Sequence, residues 1–295
     1  MASASPEAPM NYLITGAARG IGRGLTRNLL SKGHRVFLLD SNKPELDNTL
    51  SLAPSWTSKA ANSSSLPQFQ GRVVDLADRA QLKAAVAEAS TFFAGRLDVL
   101  VNNAFATPHV WSGDRRMDSN DADETIEREW DVKLAVGLTA PFLLARLCVP
   151  MLRAAAAAAA KDGARQPGSI INVSSTRAHQ AEPNHEAYSA VKAGLLGLTR
   201  SMAVSLGGAY GIRVNAVTPG WIDVDDENAA ADAKGGAKWG EALGEADHAW
   251  HPAGRVGRVE DIAKAVVFLA ESGFVTGEEI VVDGGVTRKM VYPEE

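Results

Sequence analysis

The sequence predicts an α/β fold in which one doubly wound parallel sheet carries helices on both faces. Strand and helix patterns alternate from residue 11 to residue 284 without an obvious linker, and the strands are near-continuous apolar runs. Such runs are typical of parallel strands that are covered on both sides. A glycine run also joins the first strand to the first helix. We therefore predict one domain over residues 10–288, with a leader at residues 1–9, a lid insertion at about residues 221–254 and a tail at residues 289–295.

Seven short apolar segments supply the strands. They are predicted at residues 11–14, 35–39, 72–74, 97–101, 169–173, 213–217 and 279–282. Ligands of a doubly wound sheet bind beyond the carboxyl ends of its strands. We therefore expect functional residues directly after these segments.

Composition excludes several classes of partner and location. The 30 Lys and Arg residues against 35 Asp and Glu residues give a net charge of -5 without a basic cluster, so we expect no nucleic-acid partner. The single cysteine, Cys148, lies in an apolar helical run, which indicates a buried side chain and excludes an intrachain disulfide. The leader lacks a basic start and an apolar core, and no long apolar stretch follows. We expect a cytoplasmic protein that does not bind a membrane.

The glycine run has the spacing of a Rossmann-like dinucleotide site. Gly16 permits a tight turn, Gly20 lets backbone amides approach a pyrophosphate, and Gly22 allows close packing of helix and sheet. The N-terminus of the helix that follows the glycine run offers unpaired N–H groups and partial positive charge to the phosphates, and Ile21 of the run is a further cofactor-binding candidate. A glycine-rich turn without a ligand is the alternative.

Two residues give opposite indications about the cofactor. Asp40 ends the second strand, 18 residues after Gly22, where a carboxylate binds the ribose hydroxyls and repels a 2'-phosphate. Arg19, in the glycine loop, could reach such a phosphate. We give Asp40 more weight and predict NAD, with NADP less favoured; a simple capping role for Asp40 is the alternative.

Tyr188 and Lys192 form a candidate acid/base pair. They are four residues apart and therefore share one helix face. A phenol has an ordinary pKa near 10, so catalysis at neutral pH requires that this pKa falls. The Lys192 ammonium, together with oxidised nicotinamide, would lower it. Ser175, at the end of a strand, would donate a hydrogen bond to the substrate oxygen; its neighbour Ser174 faces the opposite way.

With these motifs, residues 10–286 resemble the short-chain dehydrogenase/reductase family. The resemblance selects Ser175 over Ser174 and implies a homodimer or homotetramer, in which the C-terminal elements and two long helices near residues 130–150 and 188–207 often form the interfaces. It also implies further cofactor contacts. These are Asp75 and Leu76 at the adenine, Asn103 and Ala104 beside the nucleotide, and Pro219, Gly220 and Ile222 at the nicotinamide.

Three residues depart from the family pattern. Gly137 stands where the family usually has an asparagine that is thought to hold a proton-relay water. Phe105 replaces a common glycine, and Val224 replaces a frequent threonine. These changes indicate either altered chemistry or tolerated drift.

The loop after Phe105, residues 176–187 and the lid insertion should line the substrate pocket. They contain the tryptophans Trp111, Trp221, Trp239 and Trp250 and the histidines His109, His179, His185, His248 and His251. These side chains favour a bulky, partly aromatic small molecule; the alternative is that the tryptophans anchor the lid to the sheet. The histidines lack metal spacing, so we expect no metal.

Together these features predict an NAD-dependent oxidoreductase that interconverts a secondary alcohol and a ketone. Two alternatives remain. One is a cofactor-binding regulator or scaffold with little redox turnover, and the other is non-redox acid/base catalysis, such as isomerisation or cyclisation, in the same site.

Overall fold

A computed structural model describes residues 9–57, 66–120, 124–161, 166–236 and 238–290. The predicted leader and tail lie almost entirely outside these residues. The fold is built on one seven-stranded sheet in the order β3-β2-β1-β4-β5-β6-β7, with all neighbouring pairs parallel. The strands are β1 (Asn11–Thr15), β2 (Arg35–Asp40), β3 (Phe69–Val73), β4 (Val99–Asn102), β5 (Ser169–Val173), β6 (Arg213–Pro219) and β7 (Glu279–Val282).

Helices connect the strands and cover both faces of the sheet. They are α1 (Gly20–Ser31), α2 (Lys43–Trp56), α3 (Arg79–Phe92), α4 (Thr125–Leu134), α5 (Ala140–Lys161), α6 (Glu186–Tyr210), α7 (Ala229–Ala233), α8 (Glu245–Ala249) and α9 (Val259–Glu271). A π-helical turn, Ala135–Thr139, joins α4 to α5. The predicted doubly wound parallel fold is confirmed.

Alternate residues of the strands enter two separate cores. Ile14 of β1 packs with Leu25 of α1 and Ile262 of α9 on one face. Its neighbour Leu13 packs with Leu82 of α3 and Leu144 of α5 on the other face. Because successive strand side chains point to opposite faces, a strand that is buried on both faces is apolar at every position.

The predicted position of β3 was shifted. We expected residues 72–74, but the strand is Phe69–Val73, whose sequence FQGRV is only partly buried. Its register is set by β2, since Val36 pairs with Phe69 and Asp40 pairs with Val73. An edge strand needs no continuous apolar run, so the sequence pattern marked only its end.

The segment Thr125–Lys161 is one continuous helical stretch with a window of mean hydropathy 1.7, long and apolar enough by composition to cross a membrane. Its α5 portion buries Leu144, Cys148 and Leu152 in the same core as β4 and β5. Core helices of globular proteins meet the same criterion, and here one side of α5 packs on the sheet while other apolar residues of the stretch, such as Phe142, are exposed. Cys148 is buried, as predicted, and burial raises the pKa of its thiol to about 12.

Parallel pairing brings the carboxyl ends of all the strands to one edge. The order of the strands reverses between β1 and β4, and this topological switch point is where doubly wound sheets bind ligands. The segments that follow β1, β2, β4, β5 and β6 therefore meet around a single crevice.

Candidate active site

The glycine loop after β1 has the shape that its sequence predicts. Gly20 has a φ of +58°, a conformation that favours glycine. A Cβ on Gly22 would lie 2.0 Å from the carbonyl oxygen of Gly16 and 2.8 Å from Nδ2 of Asn103. Close packing of α1 on the loop therefore requires glycine at position 22.

Asn103 and Thr15 tie this loop to the end of β4. The Asn103 side chain donates from Nδ2 to the carbonyl oxygens of Thr15 and Gly16, at 3.1 and 3.0 Å. The Thr15 hydroxyl accepts from the backbone amides of Asn103 and Ala104, at 3.0 and 3.1 Å. Thr15 was not singled out from the sequence, although its place directly before the first glycine was the available signal.

The N-terminus of α1 fits an anion. Its N-cap residue, Arg19, makes no side-chain capping hydrogen bond, and the first turn holds no acidic residue. The first amide, that of Gly20, donates to the backbone oxygen of Glu227 at 2.8 Å. Helix N-termini carry further amides without intrahelical partners and partial positive charge, so the first turn can hold a phosphate.

Asp40 and Arg19 lie on opposite sides of the glycine loop. The Asp40 carboxylate accepts hydrogen bonds from the amides of Ala18, at 3.0 Å, and Asn42, at 2.9 Å, which fix it at the end of β2. Arg19 donates to the hydroxyl of Thr107, at 3.1 Å, in the segment after β4. The Arg19 side chain is therefore tied to the segment after β4, whereas Asp40 is fixed at the end of β2.

The remaining residues that the resemblance implies also lie along the carboxyl edge. Asp75 is exposed after β3, where its carboxylate accepts from the amide of Ala77 at 2.9 Å, while Leu76 is buried. Pro219 ends β6, and the Gly220 amide donates to Val282 at 2.9 Å. Ile222 packs against the core formed by α1 and α9. No contact in the structure tests their predicted roles at a nucleotide.

Ser175, Tyr188 and Lys192 come together at the junction of β5 and α6. The Ser175 side chain interacts with the Tyr188 hydroxyl in the direction that lowers the Tyr188 pKa, and the Lys192 ammonium lies 5.5 Å from the centroid of the Tyr188 ring. Lys192 donates to the carbonyl oxygen of Val173 at 2.8 Å. Ser174 faces the other way and donates to the backbone of Lys192 at 2.8 Å, as its position on the strand predicts.

Burial controls the protonation of this pair. It raises the pKa of Tyr188 above its ordinary value of 10.0, and the hydrogen bond with Ser175 and the charge of Arg177 offset this rise only in part. Burial also lowers the pKa of Lys192 to about 7, because the desolvated ammonium loses the hydrogen bonds of water. The protein's own groups therefore keep the phenol protonated, and the predicted lowering of this pKa by Lys192 together with oxidised nicotinamide stays a prediction.

Two aromatic residues cover the Tyr188 ring. His109 stacks on it with centroids 4.3 Å apart and an interplanar angle of 24°, and Phe105 meets it edge-on at 4.8 Å. Partial burial, then the charges of Lys192 and His185, lower the pKa of His109 to about 4, so its imidazole is neutral at pH 7. The sequence placed both residues near the pocket but did not indicate that they touch the phenol.

The tryptophans divide between anchoring and exposed positions. Trp111 is buried and donates to Glu186 at 2.9 Å, and Trp239 donates to the carbonyl oxygen of Gly257 at 3.1 Å. These two side chains hold loops in place, as the alternative interpretation proposed. Trp221 and Trp250 remain exposed. Among the residues that the structure describes, no group of three His, Cys, Asp or Glu side chains could hold a metal ion.

Glu227 fastens the predicted lid to α1. Its carboxylate is buried and pairs with Arg27 at 2.5 Å and with Arg23 at 3.3 Å. Arg23 also donates two hydrogen bonds, of 2.7 and 2.9 Å, to Asp232 of α7. Together with the contact of the Glu227 backbone on Gly20, these bonds hold residues 224–233 over the N-terminus of α1.

Glu227 titrates far above an ordinary glutamate. Burial raises its pKa from 4.5 to about 7, and nearby Asp226 and Glu260 add to this rise. Arg27 and Arg23 oppose it but do not compensate the loss of solvent.

Comparison with known proteins gives matches along nearly the whole chain. The family profile described as enoyl-(acyl carrier protein) reductase matches residues 16–287. An uncharacterized oxidoreductase of Thermotoga maritima is 35% identical over 291 residues, which cover 96% of this chain and 97% of that protein. The 3-oxoacyl-(acyl-carrier-protein) reductase FabG of the same organism is 33% identical over 276 residues, 93% of this chain and 96% of that protein. The solved apo structure of a SCOR enzyme from Clostridium thermocellum matches with a TM-score of 0.71 and 31% identity, over 97% of this chain and 96% of that chain.

We expect the unfolding midpoint of Glu227→Gln to fall less than that of the parent protein when the pH is raised from about 5.5 to about 8.5. The folded pKa of Glu227 is about 7, above its ordinary 4.5, so the folded state binds more protons between these values. This contribution to stability is present at low pH and is lost as the pH rises through 7. The measurement is the unfolding midpoint of each protein at both pH values. Asp225→Asn, at an exposed neighbour, is the control and should follow the parent; an equal loss in Glu227→Gln would contradict the assignment.

Proposed function

We propose that this chain, which belongs to the short-chain dehydrogenase/reductase family, is an NAD(H)-dependent oxidoreductase. Its proposed reaction interconverts a secondary alcohol and the corresponding ketone. The observation that carries the proposal is the grouping of Ser175, Tyr188 and Lys192 beyond the carboxyl end of β5, on the same edge of the sheet as an α1 N-terminus that fits a pyrophosphate. A relative named as a 3-oxoacyl reductase acts on a ketone, which agrees with this class of reaction.

Each residue of the group has a distinct task. Tyr188 donates its phenolic proton to the substrate oxygen in reduction and takes it back in oxidation. Ser175, already a partner of Tyr188, holds the same oxygen by a hydrogen bond as charge develops on it. Lys192, when it is protonated, places positive charge beside the phenol, and it can bind the ribose hydroxyls of the nicotinamide half. A bound nicotinamide supplies or accepts the hydride.

Several contacts support NAD over NADP. Asp40 is held by the amides of Ala18 and Asn42 at the end of β2, where an adenosine ribose lies in this type of fold. Its carboxylate would bind the ribose hydroxyls and repel a 2'-phosphate at contact distance. Arg19, the cation that could offset the repulsion, is turned toward Thr107.

Exposed apolar side chains support a homodimer or homotetramer. Trp130 and Val132 of α4, Phe142 of α5 and Val204 of α6 are all at least 36% exposed. We propose that another copy of the chain covers these helices, and that the protein acts in the cytoplasm on a small molecule without binding nucleic acid or a membrane.

We expect Tyr188→Phe to lose NADH-dependent reduction of a panel of ketones by at least about 100-fold, since the proton donor is gone. NADH should still quench tryptophan emission in this variant with nearly the parental affinity. Tyr210→Phe, at the C-terminal end of α6, is the matched control and should keep full activity. Full activity in Tyr188→Phe would eliminate the assignment. NADH binding without turnover of any ketone or alcohol in the parent protein would favour the binding-only alternative.

We expect the parent protein to bind NADH at least about tenfold more tightly than NADPH, because of the Asp40 charge. Asp40→Asn should reduce the preference for NADH over NADPH, since it removes the charge and keeps the size of the side chain. Arg19→Ala should leave the ratio unchanged. Fluorescence titration of the three proteins with both nucleotides measures it. Tighter binding of NADPH by the parent, or a selective loss of NADPH affinity in Arg19→Ala, would refute the preference.

A further inference from the structure

Phe105 lies against both Tyr188 and Lys192, although it belongs neither to the glycine run nor to the group of Ser175, Tyr188 and Lys192. Its ring meets the Tyr188 ring with an interplanar angle of 83° and centroids 4.8 Å apart. The Lys192 ammonium lies 5.5 Å from the centroid of Phe105. Phe105 also contacts His109 edge-on, at 5.7 Å, so that the two rings cover different sides of Tyr188.

The place of this ring depends on a glycine in the π-helical turn. Gly137 is buried there, and a Cβ built on it would lie 3.0 and 3.1 Å from the Cδ2 and Cε2 atoms of Phe105. The same Cβ would lie 2.5 Å from Cγ1 of Val191. Real Cβ atoms are essentially never found as close as the contact with Val191, and the contacts with Phe105 are tighter than most, because interiors are already close-packed. Any side chain at position 137 would therefore displace Phe105, Val191 or both.

The surroundings of Lys192 are almost entirely closed. Its Nζ donates to the Val173 carbonyl oxygen at 2.8 Å and lies 5.5 Å from the centroids of both the Phe105 and Tyr188 rings. The side chain is 4% exposed. Aromatic faces attract a cation weakly but cannot replace the hydrogen bonds of water, so an ammonium beside them remains poorly solvated.

We propose that Phe105 is a positioning residue, seated in the space that Gly137 leaves free, which holds the Tyr188 ring from its edge and keeps water away from Lys192. The two departures from the family pattern at positions 105 and 137 then form one matched pair. The proposal rests on the tasks given above to Tyr188 and Lys192. The test measures a pKa and needs no turnover, however. The role of Phe105 can therefore be disproved while the proposed function stands, and the proposed function can be disproved while the role of Phe105 stands.

The low pKa of Lys192, about 7, agrees with this arrangement because burial is its cause. Two titratable groups interact with the ammonium: Tyr188, which is uncharged below its raised pKa, and His109, which is neutral at pH 7. Neither supplies a negative charge at pH 7. The degree of solvation therefore determines where Lys192 titrates, and the Phe105 ring is the part of the enclosure that mutation can remove.

The test is an NMR titration of the full-length protein labelled with ¹³Cε-lysine. The Lys192 resonance is identified by its absence in Lys192→Arg. In Phe105→Ala, water reaches Nζ, and we expect the pKa of Lys192 to rise by at least about one unit toward its ordinary value. Phe105→Leu keeps most of the volume and should give a clearly smaller rise.

A second set of variants tests the pairing with Gly137. It is made in a Val191→Ala background, which removes the Val191 contact and leaves Phe105 as the residue that a new Cβ would strike. Adding Gly137→Ala to this background should raise the pKa of Lys192 by less than Phe105→Ala does, because the ring must shift by only a few tenths of an ångström. Adding the same change to a Val191→Ala, Phe105→Ala protein should not raise it further.

An unchanged pKa of Lys192 in folded Phe105→Ala would overturn the proposal. An equal rise in Phe105→Leu and Phe105→Ala would overturn it as well, since bulk would then not matter. The pairing is wrong if Gly137→Ala has the same effect with and without the ring. Unfolding midpoints confirm that each variant is folded, and the Phe105 variants decide the question even if the Gly137 variants do not fold.

Discussion

A lysine ammonium that is enclosed by a backbone carbonyl and aromatic rings is the constraint on which the carboxyl edge of the sheet depends. Strand β5 supplies the carbonyl of Val173, and α6 supplies both Lys192 and Tyr188. A desolvated cation is costly, and here the pKa of the lysine falls to about 7 while the phenol beside it is kept protonated. The packing of β5 on α6 thus sets the geometry and the charge of the pair together.

Ion pairs hold the predicted lid against α1, at the part of the crevice next to the glycine loop. Glu227 reaches α1 twice, through its backbone oxygen on Gly20 and through its carboxylate on Arg23 and Arg27. One residue therefore connects the residues that would hold phosphates to the insertion that would cover a substrate. Its raised pKa shows that the arginines compensate its burial only in part.

The fold could be predicted because a doubly buried sheet leaves a strong pattern. β5 and β7 were predicted to the residue, whereas β3 was shifted, since its position follows from pairing with β2 and not from an apolar run. The motif residues of the site could also be placed, because strand ends and helix faces determine where they lie.

Charge states and contacts between distant segments could not be predicted from the sequence. The raised pKa of Tyr188 comes from burial, and the stacking of His109 on that residue joins a loop to α6. Gly137 and Phe105 were recognised as departures, yet only the structure shows that they touch.

The pKa of Tyr188 tests most directly whether the protein alone keeps the phenol protonated and a bound, positively charged nicotinamide lowers that pKa. The chain has only 4 tyrosines, so ¹³Cζ-tyrosine NMR with Tyr188→Phe as the reference can follow this single group. In the protein alone Tyr188 should titrate above its ordinary value of 10.0, and saturating NAD⁺ should lower its pKa by at least about one unit. A pKa that is already below 10.0 in the protein alone, or one that does not move when NAD⁺ binds, would contradict this division of the work.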